Sequence, residues 1–119
     1  MTTARFDSAS PGPGQITFNA FQKLIHDRFH KTDSARGAVA TFLWLMEEVG
    51  ELATAIQENS PSSIPGTPTR TPTPEQRANL EEEFADVLAW LTTIANVMNV
   101  DLEKALEKYT VRGVKGEKH

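Results

Sequence analysis

Hydrophobic residues in this chain recur at three- and four-residue steps, the period of helices that bury one face. Phe18, Phe21, Leu24, Ile25 and Phe29 predict a helix from Thr17 to about Lys31, with Thr17 as its N-cap. The polar run His30 to Gly37 reads as a connection. A second helix is expected from Ala38 to Asn59, its stripe formed by Val39, Phe42, Leu45, Met46, Val49, Leu52, Ala53 and Ile56. It meets Ser60-Pro61, where helix continuation is disfavoured. A third helix, about Glu75 to Asn99, follows Thr73 as N-cap and Pro74, and should bury Leu80, Phe84, Val87, Leu88, Leu91, Ile94, Ala95 and Met98. Asp101 can cap a short fourth helix, Leu102 to about Tyr109. No segment of any length has the two-residue period of a strand.

The expected fold is therefore all-α, a helical bundle of three long or medium helices plus a short C-terminal one. One domain should span residues 17–109, between a flexible N-terminal segment, 1–16, and a flexible tail, 110–119. Residues 60–74 hold five prolines among Ser and Thr and read as an extended loop.

Composition narrows the function. A chain of 119 residues that is 39% hydrophobic and 24% charged fits a single globular domain. A net charge of -4 argues against a nucleic-acid polymer as partner. The absence of cysteine excludes disulfides, thiolate metal sites and cysteine nucleophiles. No run approaches the roughly 20 apolar residues of a membrane span, and residues 1–14 lack the apolar stretch of a signal peptide. A cytoplasmic protein without a membrane partner is expected.

The candidate chemistry lies in two acidic clusters. Glu47-Glu48-Val49-Gly50-Glu51 falls in the second helix and Glu83-Phe84-Ala85-Asp86 in the third. Glu48/Glu51 and Glu83/Asp86 are each spaced i, i+3, which sets two carboxylates side by side on a helix face. One such cluster alone usually belongs to a solvated face. Two, on neighbouring amphipathic helices, favour a site for a hard divalent cation, because unpaired buried carboxylates are costly and such ions prefer oxygen ligands. If the helices pack antiparallel, Trp44 and Trp90 fall at the same end, each one turn, about 5–6 Å, from its acidic pair. Two aromatic plates beside a metal centre suit a ligand with phosphates and a flat base, although helical tryptophans also serve as plain packing.

The segments Phe42 to Leu52, Glu82 to Leu91 and Val100 to Ala105 resemble the MazG-like nucleotide pyrophosphohydrolases, whose signature is EExxE, a spacer, then ExxD. The spacer here, Leu52 to Glu82, is lengthened by the Pro-rich stretch. The resemblance implies an all-helical oligomeric enzyme that cleaves nucleoside triphosphates to monophosphate and pyrophosphate with Mg²⁺, Mn²⁺ being an alternative. By motif position the metal ligands would be Glu48, Glu51, Glu83 and Asp86, with Glu47 orienting or deprotonating water. A further family motif is loosely matched by Lys104, Lys108 and Tyr109. Arg36 and Lys108 are the favoured phosphate contacts, and Asn96 could bond a sugar or base. Four carboxylates and a triphosphate together carry about eight negative charges, so two or more ions are expected with substrate bound.

Wide apolar stripes on helices roughly 35 Å long would leave a monomer with exposed apolar surface, which predicts a homodimer or homotetramer. A di-iron or di-manganese carboxylate bundle would need Glu-x-x-His pairs, and neither acidic pair has one. The remaining alternative is a non-catalytic oligomeric scaffold or nucleotide- or metal-binding protein.

Overall fold

The computed structural model describes residues 14–61, 64–68 and 70–111. Within them the fold is all-helical: α1 (Phe18–Arg36), α2 (Ala38–Glu58), α3 (Pro74–Val97) and two short turns of helix, α4 (Leu102–Ala105) and α5 (Glu107–Thr110). The start of α1 follows the sequence, with the Thr17 hydroxyl accepting from the Ala20 N–H at 3.1 Å. Its end does not. The stretch expected as a connection, His30 to Gly37, is helical as far as Arg36, and Gly37 alone joins α1 to α2. Gly37 has φ 88° and ψ 163°, backbone open in practice only to glycine. Its N–H closes α1 by donating to the Asp33 carbonyl at 2.9 Å.

α2 ends as expected near Asn59, and α3 opens on a capping box. There the Thr73 hydroxyl accepts from the Gln76 N–H while the Gln76 side chain accepts from the Thr73 N–H. α3 stops at Val97, two residues earlier than expected, where Asn99 takes φ 56° and Val100 N–H reaches back to the Ala95 carbonyl. The expected fourth helix is split at Leu106 into α4 and α5.

α2 and α3 form the main packed pair, and contacts at both ends make it antiparallel. At the closed end the Asn59 amide donates to the Gln76 carbonyl at 3.1 Å, and at the other end the Trp44 and Trp90 rings meet. α1 packs chiefly on α3. Gln22 ties it to the end of α3 by donating to the Val100 carbonyl at 2.7 Å and accepting from the Leu102 N–H at 3.0 Å.

The face of α2 that meets α3 shares only Leu45 and Leu52 with the wide apolar stripe expected to be core. It is Thr41, Leu45, Glu48, Leu52, Ala55 and Asn59, a row of three- and four-residue steps whose members are buried or half-buried. Val39, Phe42, Met46, Val49 and Ile56 are exposed, as are Phe84, Leu88, Leu91 and Met98 of the expected α3 core. The buried residues of α3 are small or polar: Ala95, as expected, and with it Thr92, Thr93 and Asn96. Most of both apolar stripes therefore forms an outer face.

Of the expected flexible N-terminal segment, residues 1–13 lie outside the described residues, and Ile16 lines a groove with Phe18, Phe21, Ala85 and Leu88. The tail beyond residue 111 also lies outside them. In the Pro-rich loop, a turn at Gly66 is closed by Thr67 N–H to the Ile64 carbonyl. No helix of the described residues is long and apolar enough to cross a membrane.

Because Gly37 occupies a glycine-only conformation at the α1–α2 corner, Gly37→Ala should destabilise the fold by about 1–3 kcal/mol. Urea denaturation checks this, and an unchanged midpoint would mean that the corner relaxes without strain.

Candidate metal centre

The antiparallel packing of α2 and α3 brings the two acidic clusters together. Glu48, Glu83 and Asp86 each offer one carboxylate oxygen within 4.8 Å of the others. Glu48 is there because it occupies the seam row of α2, between Leu45 and Leu52. Glu83 and Asp86 lie one helical step apart on the opposing α3. Both Glu48 and Glu83 are partly exposed as residues, yet one oxygen of each, Oε2, is shut off from solvent with no hydrogen-bond donor. Such atoms are normally satisfied.

The electrostatics follow from this crowding. Burial, then the like charges of Glu51 and Asp86, push the Glu48 carboxyl from its ordinary 4.5 up to about 7. The Glu83 carboxyl is raised as well, again by burial first and then by Glu51 and Asp86. Glu51 is itself exposed, but its charge is felt by both groups. Glu47 is exposed beside them on α2.

A set of hard oxygen donors with two stranded carboxylate oxygens fits a divalent cation of the Mg²⁺ type. Within the protein no lysine or arginine is ion-paired with the cluster among the described residues. The donor set therefore suits a cation brought from solution.

One turn beyond the acidic pairs stands an aromatic end wall. The Trp44 and Trp90 ring centroids are 5.3 Å apart in an edge-to-face arrangement. The Arg36 guanidinium lies 5.2 Å from each ring centroid, bridging α1 to both α2 and α3. Its Nη2 donates to Asp33 Oδ1 at 2.6 Å and its Nε to Thr41 Oγ1 at 3.0 Å. The hydroxyl of Thr41, fully buried, donates to the Gly37 carbonyl at 2.7 Å. Arg36 was expected among phosphate contacts; the structure places its guanidinium on Asp33, Thr41 and the two indoles.

The other expected contacts are placed apart from this wall. Asn96 is buried and donates to the Gln22 carbonyl at 3.3 Å, in the seam between α1 and α3. Lys104 is exposed on α4, and Lys108 on α5 sits 5.4 Å from the ring of its neighbour Tyr109. Sequence reasoning missed Asp33, Thr41 and Thr93, all polar and buried. The i, i+3 spacing of Asp33 and Arg36 was the available signal, obscured because the segment was read as a connection.

A long antiparallel helix pair with a shared carboxylate seam and an aromatic end wall defines an all-α protein with an acidic site. Residues 37–115 match the MazG nucleotide pyrophosphohydrolase domain, and the chain belongs to that family. The matched stretch contains α2 to α5 and both acidic clusters, while α1 precedes it. A search of curated proteins finds no significant match.

The carboxylate cluster carries a pH signature. A folded pKa above the unfolded value means the folded state holds a proton more tightly, so its contribution to stability is full below about 4.5 and is lost as pH rises through about 7. In EDTA the thermal midpoint should fall across that window, and Glu48→Gln should flatten the fall. Added Mg²⁺ should restore stability most at the alkaline end. Parallel wild-type and variant profiles would contradict the assignment of this titration to Glu48.

Proposed function

We propose that this protein hydrolyses nucleoside or deoxynucleoside triphosphates to the monophosphate and pyrophosphate, in a metal-dependent reaction that clears unwanted nucleotides from the pool. The observation that carries this reading is the pair of stranded Glu48 and Glu83 oxygens at the seam of a MazG-family helix pair. Glu48, Glu51, Glu83 and Asp86 would hold the Mg²⁺, with Mn²⁺ as the substitute. Bound there, the ion supplies positive charge against the triphosphate and lowers the pKa of water. Charge balance calls for more than one ion once substrate arrives, since the chain brings four carboxylates and little cationic charge to the cluster.

The chain's own residues then set the direction of reaction. Glu47, exposed beside the cluster, accepts a proton on its carboxylate from the attacking water. The water oxygen bonds to the α-phosphorus, the bond from that phosphorus to the α,β-bridging oxygen breaks, and pyrophosphate departs with the electron pair. Trp44 and Trp90 form the end wall that limits where the base and sugar can lie. Lys104, Lys108 and Tyr109, on α4 and α5, are the residues proposed to meet the phosphates.

Glu48→Gln and Asp86→Asn should each lower turnover by at least about 100-fold, with circular dichroism unchanged. Product analysis should show monophosphate and pyrophosphate only when metal is present. Diphosphate and phosphate would move the point of attack, and no turnover of any triphosphate would favour a binding or scaffold protein.

We also infer a homodimer or homotetramer. Phe42, Met46 and Val49 on α2 and Phe84, Leu88 and Leu91 on α3 form apolar rows at helical spacing that the single chain leaves exposed. Light scattering at micromolar concentration should give at least twice the chain mass of 13.1 kDa. A monomer would contradict it.

A further inference from the structure

A cavity of about 320 Å³ lies between α1 and α3, within the size range of small-molecule sites. Ile25, Phe29 and Trp90 give it apolar and aromatic walls, and Asp33, Arg36 and Thr93 give it polar groups. Asp33 is 6% exposed. Its Oδ1 is taken by Arg36, while Oδ2 has no hydrogen-bond donor among the described residues. Arg36 is held by Thr41 and the two indoles, so the carboxylate is charge-balanced and fixed, yet keeps one open acceptor. Thr93, 4% exposed, adds a hydroxyl that also lacks a partner among the described residues.

Aromatic walls with one fixed anionic acceptor match a flat heteroaromatic ring that carries N–H donors on its edge. The position agrees with this. Trp90 follows Asp86 by one turn of α3, about 6 Å, a gap that the sugar of a nucleotide can span. We propose that this cavity receives the base of the nucleotide, and that Asp33 is the specificity-determining residue. Its Oδ2 accepts from an exocyclic amino group and so favours cytosine, adenine or guanine over uracil or thymine. A uracil in the same pose would set a carbonyl oxygen against the carboxylate and could reach Oδ2 only through its N3–H, one ring position away, and a polar site that loses its matched partner discriminates strongly between near-isosteric ligands. The proposal rests on the nucleotide reading above and adds which bases are taken.

The chain has two tryptophans, one in the cavity wall and the other packed against it, so tryptophan fluorescence excited at the red edge, where tyrosine does not absorb, reports on this region. Deoxycytidine monophosphate and deoxyuridine monophosphate, titrated in EDTA, share sugar and phosphate and differ in the base at two adjacent positions: an amino group beside a bare N3 in cytosine, a carbonyl beside an N3–H in uracil. The cytosine nucleotide should bind at least about tenfold more tightly. Asp33→Asn keeps the shape and the acceptor for Arg36 but turns an amide towards the cavity, and should abolish or reverse the preference while leaving the helical circular dichroism unchanged. The wild-type comparison decides alone if the variant folds poorly. Equal binding, a uracil preference in the wild type, or no saturable response to either nucleotide overturns the proposal. Triphosphate hydrolysis measured in parallel separates the two levels: turnover without base preference removes the role of Asp33 alone, whereas no turnover removes the pyrophosphohydrolase reading.

Discussion

The meeting of like-charged carboxylates across the α2–α3 seam is the constraint on which the rest of the structure depends. Glu48 and Glu83 each lose solvent at one oxygen without gaining a donor. Desolvation and mutual repulsion both oppose this packing, and each raises the affinity of the groups for a proton or a cation. The helix pair must therefore be held shut by contacts on either side. Asn59, Gln76 and Arg77 join the helices at one end. At the other, Arg36 lies against Trp44 and Trp90 together. The repulsive middle is bracketed by two polar or aromatic clamps, which keep the carboxylates near one another against their repulsion.

α1 gives this arrangement its third side. It precedes the part of the chain that matches the MazG domain, yet its last residue supplies the guanidinium between the tryptophans. That placement requires the chain to turn within a single residue, which Gly37 does through a backbone conformation closed to other residues. The buried Thr41 joins the corner to Arg36 by bonding both the guanidinium and the Gly37 carbonyl. Corner, ion pair and aromatic wall thus form one unit adjacent to the metal centre.

Much of the fold was legible in the sequence because capping and breaking residues are local. Thr17, Thr73, Pro74 and Asp101 cap or open helices where their chemistry says they should. The acidic pairs were legible because i, i+3 spacing on a helix fixes their side-by-side placement whatever the tertiary packing. Packing itself was not. Hydrophobicity pointed to a stripe through Phe42, Leu45, Met46 and Val49 as core, whereas the chain keeps Leu45 from it and puts Thr41, Glu48 and Ala55 beside it against α3. Small and polar residues win that face because close approach of the helices and the carboxylate cluster are both needed there, which no periodicity expresses. The helical path of His30 to Arg36 was hidden for a related reason: its polar residues are stabilised by tertiary partners such as Trp44, Trp90 and Thr41.

The central claim is that the seam carboxylates are cation ligands, and it is tested most directly by locating the cation. Crystals grown or soaked with Mn²⁺ and examined by anomalous diffraction should show an ion bonded to Glu48 Oε2 and Glu83 Oε2. A structure in which these two oxygens are satisfied by shared protons or water, with manganese elsewhere or nowhere, would contradict it.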